Sequence, residues 1–202
     1  MSRGLFVVFE GIDGCGKTTQ ARRVAAARGA QYAFEPGDSP LGVDLRRWVL
    51  DAATPMTPAT EALLMLADRS YHVTHVIAPR LEQGGAVVCD RYAASTLAFQ
   101  GYGRGVDLGD LHAATALAIG DCQPDLTVLI DVSVEVAHER EARDLGDRFE
   151  ASDAAFHERV RRGYLELAAT SRDWVVIDGE GDMDSVAVAV DDVLDALAWP
   201  GA

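Results

Sequence analysis

The run Gly11-Ile12-Asp13-Gly14-Cys15-Gly16-Lys17-Thr18 fits the spacing G-x-x-x-x-G-K-[ST]. Glycines at these positions let backbone N–H groups turn inward around phosphate oxygens, at the positive end of the helix that follows. Lys17 would bridge the outer phosphates, and the Thr18 hydroxyl would take a place at a Mg²⁺ ion. Lys17 is also the only lysine among the 18 basic residues. All the others are arginine, whose planar guanidinium lies along a phosphate chain less well than a compact ammonium on a flexible stem. The run therefore points to a bound nucleoside triphosphate.

Asp90 closes the apolar run Ala86-Val87-Val88-Cys89. A carboxylate at the carboxyl end of a parallel strand is where a P-loop protein keeps its second metal-side residue. Arg91 follows directly, and an arginine there can clamp an acceptor phosphate through two bonds. Arg140, Arg143 and Arg148 lie within a short polar stretch. An arginine-rich insert of this kind can close over a triphosphate and stabilise charge in transfer. For Arg140 and Arg143 the competing expectation is pairing with nearby helix carboxylates such as Glu139 and Asp144. Arg148, between Asp147 and Phe149, is the better placed of the three. Asp131 also ends an apolar run, but a turn residue is the expectation there.

The elements that must position these groups alternate in type. Strands are expected at Leu5–Glu10, Gly29–Phe34, Ala86–Cys89, Leu126–Val132 and Trp174–Ile177. Helices are expected at Thr18–Arg28, Leu41–Ala52, Glu61–Gln83 with a kink at Pro79, from Ser95, and at Leu108–Ile119, Val134–Arg143, Ala154–Ala169 and Ser185–Leu197. Thr54, Pro55 and Pro58 read as breakers, Gly101, Gly103 and Gly105 as a loop, and residues 140–150 as the region of a lid insert. This alternation predicts a mainly parallel sheet with helices on both faces, in a single domain spanning 1–202.

The net charge of −14 excludes the broad surplus of basic residues on which non-specific nucleic-acid binding rests. Cys15, Cys89 and Cys122 are too scattered for a disulfide framework or a paired-cysteine metal site. No run approaches the roughly 20 apolar residues that span a membrane, and no signal peptide is read, so a cytoplasmic location is expected.

With these residues assembled, the chain resembles the bacterial thymidylate kinases from about Gly4 to about Trp199. The resemblance rests on Phe9 to Gln20 around the P-loop, Glu35-Pro36-Gly37, Asp90-Arg91-Tyr92 with Ser95-Thr96 and Phe99-Gln100-Gly101, Gln123-Pro124-Asp125-Leu126, and Asp147-Arg148-Phe149-Glu150. It implies the three-layer fold of P-loop nucleoside monophosphate kinases and ATP- and Mg²⁺-dependent phosphorylation of dTMP to dTDP. By the same resemblance Asp13 would accept from the acceptor's 3′-hydroxyl, Arg91 would hold its phosphate and Arg69 would read the thymine edge. Glu35, Met65, Ser95, Phe99 and Gln100 would complete the acceptor site. One branch of the family carries a catalytic arginine in the P-loop. Here Gly14 and Cys15 stand there, so Arg148 and Arg143 of the lid inherit that role. The family's usual homodimer is implied too, with Leu63–Ala67 or Leu111–Ile119 as an apolar face.

Two departures keep alternatives open. Met65 stands where the family usually stacks phenylalanine on thymine, and Phe34 where bacterial members commonly have arginine. Both motivate a kinase for another nucleoside monophosphate. A P-loop ATPase switch acting on a protein partner is the alternative from another class. A GTPase is excluded by the absence of asparagine, and hence of an Asn-Lys-x-Asp guanine reader.

Overall fold

A computed structural model describes residues 3–51, 53–141 and 153–200. Five strands, β1 (Phe6–Glu10), β2 (Gln31–Phe34), β3 (Val87–Asp90), β4 (Leu126–Asp131) and β5 (Trp174–Asp178), form one sheet in the order β2-β3-β1-β4-β5. Every neighbouring pair is parallel. β1 is therefore central, and its apolar residues are buried on both faces, as a continuous apolar run requires.

The pleat divides these residues between two cores. Val7 and Phe9 pack with Val24 of α1 (Lys17–Arg28) and Val190 of α9 (Met183–Leu194). Phe6 and Val8 pack with Ile77, with Leu81 of α4 (Ala78–Glu82) and with Ile119 of α6 (Leu108–Ile119). Helices thus cover both faces of the sheet, and the fold is a three-layer α/β domain. The register sets Phe9 beside Asp90, so β1 and β3 end together and deliver the glycine loop and the Asp90-Arg91 pair to one edge.

Three local expectations are corrected. Pro58 does not break a helix but starts α3 (Pro58–His72), where the missing N–H costs nothing, while Thr57 caps that end by accepting from the Thr60 N–H. The single helix expected around Pro79 is instead divided into three stretches. The chain widens into a π turn over Val73–Ile77, with the Ala78 N–H bonded to the Val73 carbonyl, and continues into α4. This wider turn accommodates a proline that can neither donate to nor pack tightly beneath the preceding turn. Gly101 and Gly103 lie in a second π-helical stretch, Leu97–Gly103, following the short α5 (Ala93–Thr96), and are not in a loop. Close packing explains Gly103, since a Cβ there would come within 2.5 Å of the Phe156 ring on α8 (Ala154–Thr170).

Two helices remain. Ser39 caps α2 (Pro40–Leu50) by accepting from the Gly42 N–H at 2.9 Å. α7 runs Val134–Glu141 within the described residues. The rest of the expected helix to Arg143, and the segment Leu145–Glu150 with Arg148, lie outside the described residues.

Candidate active site

Gly11, Gly14 and Gly16 have φ of 145°, 74° and 91°, values that L side chains rarely adopt. Space forbids a side chain too, because a Cβ on Gly14 would lie 2.4 Å from the Ala137 carbonyl oxygen. The loop leads into α1, whose N-terminus carries no side-chain cap. Its first amides face a cleft lined by residues 13–20, Arg140, Gly181 and Met183. Open amides, the helix dipole and an adjacent ammonium make an anion site. Lys17 Nζ is buried at the mouth of the loop, bonded to the Ile12 carbonyl at 3.2 Å and to Asp13 Oδ1 at 3.4 Å.

A second cavity lies against the first. The acceptor-side residues expected from the sequence, Asp13, Glu35, Met65, Arg69, Arg91, Ser95, Phe99 and Gln100, all line it. Asp13 lines both cavities. Its carboxylate bonds Arg91 Nη2 as well as Lys17. Burial would raise the pKa of this group, but Arg91 and then Lys17 outweigh burial and hold it well below the usual carboxylate range. A single carboxylate thus faces two cations that would otherwise repel each other across the boundary between the cavities.

Asp90 ends β3, accepts from the Thr18 hydroxyl, and lies 3.4 Å from the Tyr32 hydroxyl. Its Oδ1 is buried with no hydrogen-bond partner among the described residues. A buried carboxylate oxygen without a donor is costly, and a cation is its natural complement. Beside the Thr18 hydroxyl this arrangement fits Mg²⁺, which takes one or two protein oxygens and completes its shell with phosphate and water. Among the described residues no three His, Cys, Asp or Glu side chains converge to hold a metal without a nucleotide.

Arg69 is 2% exposed, and its donors are directed at Glu35 Oε2 at 2.8 Å, the Thr96 hydroxyl at 2.6 Å and the Tyr92 carbonyl at 2.8 Å. Glu35 in turn bonds His72 Nδ1 at 2.9 Å, while His72 Nε2 lies 3.3 Å from Asp38 Oδ2. Burial would lower the pKa of His72, but its bonds to Asp38 and Glu35 raise it to about 9. Asp68, which accepts from the Gly37 N–H, is raised to about 6 by burial and then by Glu35. Gln100 donates to Glu61 at 3.0 Å.

The structure gives Arg140 partners other than the helix carboxylates weighed for it, and gives Asp131, expected as a turn residue, an arginine partner. Arg140 donates to the carbonyls of Gly179, Glu180 and Gly181 at 3.0, 3.3 and 3.1 Å. These bonds fasten α7 to the wall of the P-loop cleft. Asp131 ends β4 and is bound through both oxygens by Arg161, at 2.7 and 2.8 Å.

Glu10, Thr96, Asp68, His72 and Tyr164 were missed as parts of the site. Glu10 had left a signal, a lone charge inside an apolar strand. Asp68 and His72 flank Arg69 at i and i+4 on one turn of α3, which places three ionisable groups on a helix that must also bury an apolar face. Nothing in the sequence around Tyr164 marked it.

Comparison with known proteins agrees over nearly the whole chain. The family model described as thymidylate kinase matches residues 9–190. The thymidylate kinase of Geobacter sulfurreducens is 43% identical over 205 residues, covering 95% of this chain and 96% of that protein. The one from Thermomicrobium roseum is 47% identical over 195 residues, covering 92% and 91%. The crystal structure of thymidylate kinase from Ehrlichia chaffeensis superposes with a TM-score of 0.79 at 31% identity, covering 95% of this chain and 99% of that one.

Proposed function

The chain belongs to the thymidylate kinase family, and we infer from this premise that it transfers the γ-phosphoryl group of ATP to dTMP, giving dTDP and ADP for nucleotide biosynthesis. The observation that carries the reading is the shared wall at Asp13. The P-loop cleft and the cavity lined by Arg69 and Arg91 meet there, so a donor in one and an acceptor in the other would face each other.

An oxygen of the dTMP phosphate attacks the γ-phosphorus, and the bond to the β–γ bridging oxygen breaks as ADP leaves. That attacking oxygen already carries negative charge near neutral pH, since the second pKa of a phosphate monoester is about 6. No strong general base is needed, and the work is alignment and charge stabilisation. Lys17 and the amides of residues 11 to 18 hold the donor phosphates, and Arg91 aims the acceptor phosphate. Asp13 exchanges its bonds to these cations for the acceptor's 3′-hydroxyl. Thr18 and Asp90 would hold Mg²⁺, which would supply charge neutralisation for the triphosphate. Arg143 and Arg148 would close on the transferring group. Arg69, fixed by Glu35, presents its edge to the thymine, and Met65 packs against the ring face through its soft sulfur.

The whole chain is assigned to one domain. A homodimer is proposed through the adjoining helices α3 and α6, where Leu63 is 64% exposed and Leu117 86%. Light scattering on the purified protein checks this assembly. No described helix is long and apolar enough to cross a membrane. A cytoplasmic enzyme acting without nucleic acid is the reading adopted.

A panel of monophosphates assayed with ATP and Mg²⁺ tests the reaction. ADP release that depends on dTMP, with dTDP as product, is expected. Preference for dCMP, UMP or AMP would overturn the acceptor. Phosphate released to water at a rate indifferent to dTMP would instead favour the switch ATPase.

A further inference from the structure

Glu10 is the only charged residue of β1 and is fully buried. Its Oε1 accepts from the N–H groups of Tyr92 at 2.9 Å and Ser95 at 3.2 Å. Its Oε2 accepts from the hydroxyls of Ser95 at 2.7 Å and Tyr164 at 3.0 Å. Arg91 Nη1 donates to the same two hydroxyls, at 3.2 and 3.1 Å. Each hydroxyl therefore accepts from the guanidinium and donates to the carboxylate. Arg91 thus has two acidic partners, Asp13 directly at Nη2 and Glu10 through two relaying oxygens at Nη1.

The backbone supplies an independent observation. Arg91 has φ 69°, the only positive φ at a non-glycine among the described residues. That conformation is strained for a side-chain-bearing residue and persists only where its surroundings hold it. The Arg91 N–H is bonded to the Phe9 carbonyl at 2.9 Å, and the next N–H, that of Tyr92, to Glu10. Consecutive residues of β1 thus clamp the turn from both sides.

We propose that Glu10 is a positioning residue for the acceptor phosphate: it holds Arg91 in its left-handed turn and, through Ser95 and Tyr164, fixes one edge of the guanidinium while the other edge is free to exchange Asp13 for phosphate. This inference rests on the kinase reading above. Arg91 would still be charged without Glu10, but its guanidinium would lose its aim. The effect therefore falls on capture of the acceptor and not of ATP.

Steady-state kinetics with acceptor and ATP varied separately test it in the unaltered enzyme, Glu10→Gln, Tyr164→Phe and the double variant. The KM for dTMP is expected to rise about 10- to 100-fold in Glu10→Gln and about 3- to 10-fold in Tyr164→Phe, with the KM for ATP held within about 2-fold. The double variant is expected to show less than the product of the two effects, because both act through one network. An unchanged dTMP KM in either folded variant overturns the proposal, as do equal rises in both KM values or fully multiplicative effects. Should Glu10→Gln not fold, Tyr164→Phe, which removes a single oxygen, decides alone. The acceptor preference of the unaltered enzyme tests the reaction separately. If it prefers another monophosphate, the dTMP assignment fails, and the same comparison made with that acceptor still decides the role of Glu10.

Discussion

The Thr18 hydroxyl donates to Asp90 Oδ2 and ties the first turn of α1 to the end of β3. The contact leaves Asp90 Oδ1 buried without a hydrogen-bond partner among the described residues. Asp90→Asn keeps the size of the side chain and the bond to Thr18 but removes the negative charge. The Mg²⁺ concentration needed for half-maximal rate is expected to rise roughly 10-fold or more, a loss typical of altered ligand shells. Titration of Mg²⁺ at saturating ATP and dTMP checks this, and an unaltered Mg²⁺ requirement would take Asp90 out of the metal site.

Lys17→Ala is expected to abolish turnover, by about 10³-fold or more, without unfolding the protein. Asp13 retains Arg91 as a partner, so no carboxylate is stranded in the interior. Product assays and circular dichroism on the same preparation separate the two effects. Retained phosphorylation of dTMP would contradict the role given to the ammonium.

What could be read from the sequence, and what could not, divides by distance along the chain. Gly11 to Thr18, and Asp90 with Arg91, were legible because each group's meaning lies in residues next to it. The alternation of strand and helix was legible for the same reason. The partnership of Glu10 with Tyr164 joins residues 154 positions apart, and no local pattern announces it. The chain from Glu61 to Gln83 read as a helix kinked at Pro79, but the wider turn at Val73–Ile77 differs from an α-helix by one residue of hydrogen-bond spacing. Local propensities do not encode that difference. Arg140 read as one of a series of lid arginines or as a surface pair, and only the return of the chain through Gly179 to Gly181 gave it three carbonyl partners.

Arg148→Ala tests the lid assignment. If this guanidinium meets the charge that develops on the transferring group, kcat is expected to fall about 10²-fold with little change in the KM for dTMP. Arg143→Ala, measured alongside, apportions the role between the two. An unchanged kcat in both variants would return the task to Lys17 and Arg91.

His72 gives the stability of the fold a pH dependence whose sign can be worked out. Both ring nitrogens face carboxylates, Glu35 and Asp38, and the ring is fully buried, so it is held as an imidazolium. Its folded pKa of about 9 lies above the ordinary imidazole value of 6.5. The stabilisation is therefore complete below about pH 6.5 and is lost as pH rises through about 9. At about 1.4 kcal/mol per pKa unit, its size is on the order of 3 kcal/mol. Asp68, packed in the same cluster, works in the same sense at lower pH, since a carboxyl raised from 3.8 to about 6 also costs stability as pH climbs across that interval. The two windows do not overlap, and Arg69 keeps its charge throughout both. Urea midpoints of the unaltered protein are expected to fall between pH 6.5 and 9, and those of His72→Gln to change less over the same range. The loss should also reach the site, because Glu35 freed from His72 is less firmly held against Arg69, so the KM for dTMP should rise in His72→Gln at pH 7.5. Parallel urea curves for the two proteins across that interval would mean that the ring is neutral in the fold and that Glu35 is held by Arg69 alone.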